Sequence, residues 1–209
     1  MIINFTHQKG GVGKSTLAIN VAINLGADIL DLDTLNACVL FNRIRKAKGK
    51  DDLTVIQAET DQEALKIINQ YKGIGKTLVV DSGGYDSEVN RVALLSSDVL
   101  ITPVSPSQIE IFGLQKFIEI LKESSEQLKV TFMTNVIINN ADIRSRSEVN
   151  MLKRFISKND KYLDAFSTVI CNRVDFRRAY KMGLSVEELD GDSKASNEIR
   201  LFCREIKIL

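Results

Sequence analysis

Cysteine is scarce in this sequence, and its spacing fits neither a disulfide framework nor a zinc site. The three cysteines, Cys38, Cys171 and Cys203, are odd in number and widely separated, and no Cys-x-x-Cys pair occurs. Disulfide scaffolds and structural zinc centres need cysteines paired at short, regular spacings. We therefore expect reduced thiols, as in a cytoplasmic protein.

Long hydrophobic runs are also missing, and so is an excess of charge of either sign. No apolar stretch reaches the length of about 18 residues that a membrane-spanning helix needs. The first residues, MIINFTH, show neither a basic leader nor a cleavage site, so we do not expect secretion. Lysine and arginine number 28 against 27 acids. The molecule as a whole therefore has no general attraction for nucleic acid, and any such binding must come from a local patch.

The sequence does contain a regular alternation of short β-branched runs and longer segments with helical period. The predicted strands cover residues 2–6, 27–33, 53–57, 77–81, 99–104, 130–138 and 166–171. The predicted helices cover residues 15–25, 60–71, 107–123, 145–157 and 195–208, and two begin with capping-box pairs, Thr60 with Glu63 and Ser145 with Glu148. Most of the strands are apolar throughout, which is typical of parallel strands covered on both faces. We predict a single α/β domain over residues 1–209, a doubly wound, mostly parallel sheet with helices on both faces.

The stretch HQKGGVGKST, residues 7–16, follows the first predicted strand and opens the first predicted helix. Its glycines let the backbone turn tightly, so that successive N–H groups and the positive end of the helix can face a polyphosphate. In this interpretation Lys14 binds the β- and γ-phosphates, Ser15 ligates Mg²⁺ and Thr16 bonds further back on the nucleotide. The predicted nucleotide-binding residues of the loop are Gly10, Gly11, Val12, Gly13, Lys14, Ser15 and Thr16. The alternative is a glycine-rich turn with two solvated lysines.

The loop departs from the common phosphate-binding pattern at one position. Gln8 stands where G-x-x-x-x-G-K-[ST] has its first glycine, and the pattern that does match is K-G-G-x-G-K-[ST], which begins at Lys9. The segments LDLDTLN, TLVVDSGG and LITPVSPSQIEIFGLQKFIEIL follow in order. In this loop and these segments the sequence resembles the ParA/MinD family of deviant Walker-A ATPases, above all the small ParA type. The resemblance covers most of the chain and implies the P-loop NTPase fold.

The resemblance also implies a function in which ATP and Mg²⁺ are the cofactors. In that family the front lysine crosses a dimer interface to the phosphates bound by the partner. This assigns the crossing role to Lys9 and makes the homodimer dependent on ATP. The other implied partners are non-specific DNA and a centromere-binding ParB-type protein or another cargo adaptor. The implied location is the cytoplasm, on the nucleoid.

Two acids at the ends of predicted strands, Asp33 and Asp81, join Lys9 and Lys14 in the implied catalytic set. Asp81 ends the apolar run TLVVD, where a Walker-B acid belongs, and it would hold a Mg²⁺-bound water. The alternative is an aspartate that caps the next turn. Asp33 belongs by resemblance to switch I and would orient the attacking water, a positioning role because an ordinary aspartate is too acidic to be a strong base. The alternative is that Asp31 and Asp33 are solvated acids at the end of a strand.

The segments that follow these two acids differ from the pattern of the family. The family often has a proline after the Walker-B acid, whereas this chain has Ser82-Gly83-Gly84. It commonly has Pro-Gln after the switch I acid, whereas this chain has Thr34-Leu35-Asn36. The second difference leaves the rate of hydrolysis open.

Two further positions are candidates for contact with the nucleotide base. Pro103 and Pro106 follow a strand and stiffen a turn that lies beside the base in relatives, although an ordinary strand-ending turn is an equal alternative. Asn172 comes just after the last predicted strand and is a candidate for adenine recognition.

Residues 141–181 carry ten basic against five acidic side chains, a local charge of +5. Relatives bind DNA without sequence preference from comparable late segments when they are dimeric, and phosphate contacts alone give weak, salt-sensitive binding. The predicted DNA-binding residues are Arg144, Arg146, Lys153, Arg154, Arg173, Arg177, Arg178 and Lys181. The alternative is a solvated basic face, which is our interpretation of the earlier run RIRKAKGK at residues 43–50.

The last predicted helix carries an apolar stripe of Ile199, Phe202, Cys203 and Ile206. We expect this stripe to pack on the sheet, whereas MinD-type relatives end in a membrane-binding helix, so membrane association is not expected. No helix-turn-helix precedes the loop, and we expect no amino-terminal DNA-binding extension. The leading interpretation is a ParA-type ATPase that segregates or positions plasmid or chromosome cargo with partner-stimulated hydrolysis. The alternatives are a MinD-like membrane-associated positioning ATPase and a nucleotide-gated adaptor with little hydrolysis.

Overall fold

The computed structural model describes residues 1–84, 87–142, 144 and 146–209. Its strands are β1 (Ile2–Phe5), β2 (Asp28–Asp31), β3 (Val55–Gln57), β4 (Leu78–Asp81), β5 (Val99–Val104), β6 (Thr134–Ala141) and β7 (Leu163–Cys171). Its helices are α1 (Lys14–Leu25), α2 (Ala37–Ala47), α3 (Asp61–Ile74), α4 (Glu88–Leu95), α5 (Gln108–Leu128), α6 (Arg146–Ser157), α7 (Val174–Met182), α8 (Val186–Leu189) and α9 (Lys194–Ile206). The described strands form one parallel sheet in the order β3-β2-β4-β1-β5-β6-β7.

Helices cover both faces of this sheet. Ile3 and Phe5 of β1 belong to a core shared with α1, α2, α7, α8 and α9, whereas Ile2 belongs to a core shared with α3 and α4. Farther along the sheet, α5 and α6 cover the same face as α3 and α4. Successive side chains of a strand point to opposite faces, so continuous apolar strands supply both layers at once. The predicted doubly wound α/β fold is confirmed, and the single domain stays a prediction.

The central position of β1 fixes where the glycine-rich loop lies. β1 pairs with β4 on one side and with β5 on the other, and residues 7–13 leave it at the carboxyl edge of the sheet. Asp81 of β4 is in register with Phe5 of β1 and with Asp31 of β2. The chain reverses its winding direction here, and open α/β sheets bind ligands at such crevices.

Helix α2 was not predicted, because its charges obscure its apolar stripe. Phe41 and Cys38 are fully buried in the core, and Arg45 is only 7% exposed. The Arg45 guanidinium bonds both carboxylate oxygens of Glu188 at 2.8 Å. The prediction that residues 43–50 form a solvated run is therefore wrong for Arg45, which joins α2 to α8. Helices α4, α7 and α8 were also missed.

The sixth strand is displaced from its predicted position. We expected it over residues 130–138, but α5 continues to Leu128 and ends at Lys129, whose φ of 55° is left-handed. Val130 is 56% exposed, and the strand begins only at Thr134. The apolar run at 130–133 therefore belongs to the connection, because the amphipathic pattern of α5 extends past the point where we expected it to end.

Other local predictions can be compared directly with the structure. The Thr60 hydroxyl accepts a hydrogen bond from Glu63 N at 3.2 Å, as expected for a helix cap. The Glu63 carboxylate accepts from Glu59 N and not from Thr60 N, so the second bond of a capping box is formed one residue earlier. Ser145 lies outside the described residues.

The three cysteines are free, as expected. Among the described residues, no helix has both the length and the apolar character needed to cross a membrane.

The final helix packs on the sheet as predicted. Ile199, Phe202, Cys203 and Ile206 are at most 2% exposed. The acids of α9 meet the edge strand β7, where Glu198 accepts from Cys171 N at 3.1 Å and Glu205 accepts from Ser167 N and Thr168 N. The helix therefore covers an open sheet edge with acceptors, which explains why a core helix carries acidic residues.

Candidate functional site

Gly13 fixes the turn of the glycine-rich loop into α1. Its φ of 96° lies in the left-handed region that side chains avoid, and an added Cβ would stand 2.3 Å from Nδ2 of Asn139. The Gly13 carbonyl accepts the first helical bond from Leu17 N at 3.0 Å, and no side chain of the described residues caps this end of α1. The amino-terminal N–H groups of α1 are thus left for an anion.

Asn139 anchors the loop to β6, and the sequence interpretation missed it. Its Nδ2 atom donates to the Val12 carbonyl oxygen at 2.7 Å, and the side chain is only 8% exposed. A polar residue near the carboxyl end of an apolar strand was the available signal, because such ends face the ligand crevice.

Lys14 is buried directly behind the loop. It is 5% exposed, and its Nζ donates to the carbonyl oxygen of Lys9 at 3.2 Å. Burial lowers the pKa of Lys14, while the charges of Asp81 and Asp33 act in the opposite direction. A buried ammonium is costly unless it is paired, so this cation is well placed to gain from a bound phosphate.

Asp81 is a fully buried carboxyl group beside Ser15. Burial is the main cause that raises its pKa to about 7, Asp31 acts in the same direction, and the hydroxyl of Ser15 lowers it. Oδ2 accepts from Cys38 Sγ at 3.3 Å, whereas Oδ1 has no well-formed hydrogen bond within the described chain. An uncompensated carboxyl oxygen next to a hydroxyl fits Mg²⁺ held by Ser15 and, through water, by Asp81. No described backbone N–H donates to the side-chain carboxylate of Asp81, so the turn-capping alternative lacks support within the described chain.

The two acids at the end of β2 have different surroundings. Asp31 is 2% exposed and accepts from the backbone N–H groups of Asp33, Cys38 and Val39, so it ties the loop after β2 to the first turn of α2. Asp33 is half-buried, and its Oδ1 accepts from Leu35 N at 3.0 Å. The negative charge of Asp33 also raises the pKa of Lys14, against the effect of burial. The structure therefore brings Asp33, Lys14 and Asp81 together, and the alternative of a solvated acid is wrong for Asp31.

The segments that depart from the family pattern pack closely around this site. A Cβ on Gly84 would lie 3.1 Å from the backbone N of Gly10, so a side chain there would require the glycine-rich loop to shift by a few tenths of an ångström. Asn36, with a left-handed φ of 51°, precedes α2 and accepts from Gln57 through its side chain.

Lys9 is held in place by a residue that the sequence interpretation missed. Its Nζ lies 2.5 Å from Oε1 of Glu110, in the first turn of α5. The Lys9 side chain is 39% exposed, and that of Glu110 is only 10% exposed. Oε2 of Glu110 has no partner among the described residues. Lys9 is the residue predicted to cross to the nucleotide of a partner chain. In the single chain its ammonium group is instead paired with Glu110 of the same chain.

His7 makes a second connection between the loop and α5. Its ring stacks on Phe117 with centroids 5.9 Å apart, and Nδ1 accepts from Lys9 N at 2.9 Å. Burial, followed by the charges of Lys14 and Lys9, lowers the pKa of His7 to about 4. His7 is therefore neutral at physiological pH, and adds no positive charge to the loop.

A cavity of about 200 Å³ opens beside the loop. Val12, Gly13 and Thr16 line it together with Asn139, Asn140, Asn172, Arg173, Phe176 and Arg177. The structure therefore places Asn172 in the wall of the cavity beside the loop, and its contact with a nucleotide stays a prediction. Pro103 does not line the cavity: it is buried inside β5, in register with Ile137, so its predicted place in a turn beside the base is wrong.

The predicted basic face is divided by the fold. Arg173 is paired with Glu198 at 2.6 Å, and with Arg177 it lines the cavity. The exposed remainder consists of Arg144, Arg146, Lys153, Arg154, Arg178 and Lys181. Helix α6, with Arg146, Lys153 and Arg154, lies on the face of the sheet opposite to α7, with Arg178 and Lys181. A single continuous face is therefore wrong, because the two helices pack on different layers.

Comparisons with known proteins agree with this geometry. The model of the CobQ/CobB/MinD/ParA nucleotide binding domain family matches residues 3–186. Protein ParA of Rhizobium radiobacter is 21% identical over 132 residues, which are 61% of this chain and 59% of that protein, less than two thirds of its length.

Two solved structures share the fold over nearly the whole chain. Apo McdA from Cyanothece has a TM-score of 0.74 at 14% identity and covers 98% of both chains. MinD from Pyrococcus horikoshii OT3, complexed with Mg-ADP, has a TM-score of 0.70 at 17% identity and covers 98% of this chain and 95% of that one.

The only histidine of the chain offers a direct test of the loop packing. We expect the NMR signal of His7 to titrate near pH 4, because protonation would place a third cation in a buried site beside Lys14 and Lys9. Because the fold favours the neutral form of His7, the free energy of unfolding decreases as the pH falls from 6.5 towards 4. Because the fold also favours the neutral form of Asp81, the contribution of that group decreases as the pH rises from 3.8 towards 7. The NMR midpoint separates the two groups, and a midpoint near 6.5 would contradict the buried position of His7.

Proposed function

This chain belongs to the CobQ/CobB/MinD/ParA nucleotide-binding domain family, and we propose that it is a ParA-type ATPase. With MgATP it forms a sandwich homodimer that binds DNA non-specifically in the cytoplasm, on the nucleoid. Through a ParB-type or other adaptor it segregates or positions plasmid or chromosomal cargo, and the adaptor stimulates hydrolysis. The observation that carries this proposal is the convergence of Lys9, Lys14, Asp33 and Asp81 on one glycine-rich loop.

The residues of the loop have separate tasks in nucleotide binding. The free N–H groups of α1 and the ammonium of Lys14 bind the phosphates, and Lys14 gives up the Lys9 carbonyl when they arrive. Ser15 and Asp81 would hold Mg²⁺, which neutralises phosphate charge when bound. Asp33, half-buried beside this group, orients the attacking water.

The dimer depends on the exchange of one ion pair for another. Two nucleotides that face each other concentrate negative charge, and Lys9 of each chain crosses to neutralise the other chain's phosphates. In the single chain Glu110 holds Lys9, so this contact must open first. ATP offers several charged oxygens in place of one carboxylate, which makes the exchange favourable only when the γ-phosphate is present.

In this proposal, DNA is bound by those predicted basic residues that are exposed and do not line the cavity. Arg173 and Arg177 line the nucleotide cavity, which leaves Arg144, Arg146, Lys153, Arg154, Arg178 and Lys181 exposed for phosphate contacts. Each chain alone contributes few contacts, and a dimer doubles them, so ATP raises the affinity for DNA through valency.

One alternative function has a specific feature in its favour. The segment Thr34-Leu35-Asn36 departs from the family beside Asp33, which favours a nucleotide-gated adaptor with little hydrolysis. Single-turnover hydrolysis with and without DNA separates an adaptor from an ATPase. The buried stripe of α9 gives no support to a membrane-binding helix of the MinD type.

Replacement of the buried lysine tests the nucleotide site. Lys14→Ala should reduce ATP binding, measured by calorimetry, to below detection, because the substitution removes the cation nearest to the phosphates. The matched control is Lys122→Ala, an exposed lysine on α5, which should bind ATP as the wild-type chain does. Retained binding by Lys14→Ala would contradict the proposal.

Replacement of either partner in the Lys9–Glu110 pair tests the dimer switch in opposite directions. Lys9→Ala should bind ATP as a monomer and form no ATP-dependent dimer in light scattering. Glu110→Gln should lower the dimer dissociation constant about thirtyfold, because both chains lose the pair and each partly exposed ion pair contributes about 1 kcal/mol. Glu119→Gln, exposed on the same helix, is the control. Normal dimers of Lys9→Ala would contradict the crossing of this lysine.

The exposed basic residues of α7 give a prediction for DNA binding. Arg178→Ala combined with Lys181→Ala should weaken binding of the ATP-bound protein to a DNA duplex and make it less dependent on salt. Lys48→Ala with Lys50→Ala, both exposed after α2, should not. An unchanged salt dependence in the first variant would return α7 to the solvated-face interpretation.

A further inference from the structure

A groove with a volume of about 430 Å³ lies between α5 and α6. None of the residues that line it lines the nucleotide cavity. Its apolar side chains are Ile111 and Phe112 from α5 and Met151 and Phe155 from α6. Phe112 is 56% exposed, and the neighbouring Ile109 is 67% exposed. An apolar groove bordered by exposed large side chains is typical of an interaction surface.

Two cations stand at this groove without acidic partners. Arg154, in the last turn of α6, and Lys158, just after this helix, are exposed and line the groove, and none of the described residues that line it is acidic. Within the described residues neither makes an ion pair. Their potential favours a carboxylate at the edge of an apolar contact.

We propose that the groove between α5 and α6 binds an acidic amphipathic helix of a partner protein. Four apolar side chains against two cations match the apolar stripe and acidic flank of such a helix. A nucleic acid needs rows of cations along its phosphates and has no use for Phe112 and Met151. The groove thus selects a partner by both its shape and its charge.

The groove also lies on the part of α5 that holds the glycine-rich loop. Glu110 binds Lys9, and Phe117 stacks on His7, while Phe112, between them in sequence, lines the groove. A helix bound against Phe112 therefore packs on the outer face of the same part of α5 whose inner face positions Lys9 through Glu110. That the bound helix biases the nucleotide cycle rests on the proposed function, whereas the binding itself does not.

Synthetic peptides test the surface with the full chain. The probe is a fluorescent helical peptide of about 18 residues with leucine and phenylalanine on one stripe and glutamate beside it. Its controls are the same peptide with lysine in place of glutamate and a scrambled peptide of equal composition. In fluorescence anisotropy we expect the acidic peptide to bind about tenfold more tightly than either control.

Two variants locate the binding site. Arg154→Glu with Lys158→Glu should weaken binding of the acidic peptide about tenfold and reverse the preference in favour of the lysine peptide. Phe112→Ala should weaken binding about tenfold, since the aromatic ring supplies apolar surface that the bound helix would bury. Lys122→Glu and Leu128→Ala, exposed on the same helix, are the controls, and all variants should keep the wild-type melting temperature.

Equal affinity for the three peptides, or unchanged binding by the charge-reversed variant, would overturn the proposal. So would loss of a DNA duplex, but not of the acidic peptide, when Arg154 and Lys158 are reversed, because the cations would then belong to a DNA site. ATP binding is measured separately. A chain that binds the peptide but not ATP would contradict the proposed function and leave the groove standing.

Discussion

The buried ammonium of Lys14 is the interaction on which the rest of the site depends. Among the described residues its hydrogen-bond partner is a carbonyl oxygen of its own loop, that of Lys9. Burial works against this charge, and the carboxyl groups of Asp81 and Asp33 support it. Without a bound anion, the charge of Lys14 is only partly compensated. The pairing of Lys14 with a polyphosphate therefore contributes a large part of the binding free energy.

The same loop is attached to two distant elements. Asn139 of β6 holds it on one side, and α5 holds it on the other through His7 with Phe117 and Lys9 with Glu110. Two hydrogen bonds therefore connect Lys14 to α5, the first from Lys14 to the Lys9 carbonyl and the second from the Lys9 ammonium to Glu110. This connection makes α5 the natural element through which a partner and the nucleotide influence each other.

The fold was predictable wherever one pattern dominated a segment. The apolar strands, the glycine-rich loop and the stripe of α9 stand out because burial on both sides of a sheet imposes continuous apolar runs and clear periods. Helix α2 was hidden because Arg45 looks solvated in sequence but is buried against Glu188, 143 positions away. Glu110 was missed for the same reason, because its contact with Lys9 spans 101 positions. Asn139 is different, because its place near the carboxyl end of an apolar strand was a signal in the sequence.

The most direct test is a crystal structure of the protein with Mg²⁺ and a non-hydrolysable ATP analogue. We predict that Lys14 Nζ leaves the Lys9 carbonyl and binds the β- and γ-phosphates, with Ser15 and Asp81 on the side of the metal. A structure in which the analogue binds elsewhere, while Lys14 still donates to Lys9, would contradict the proposed role of Lys14.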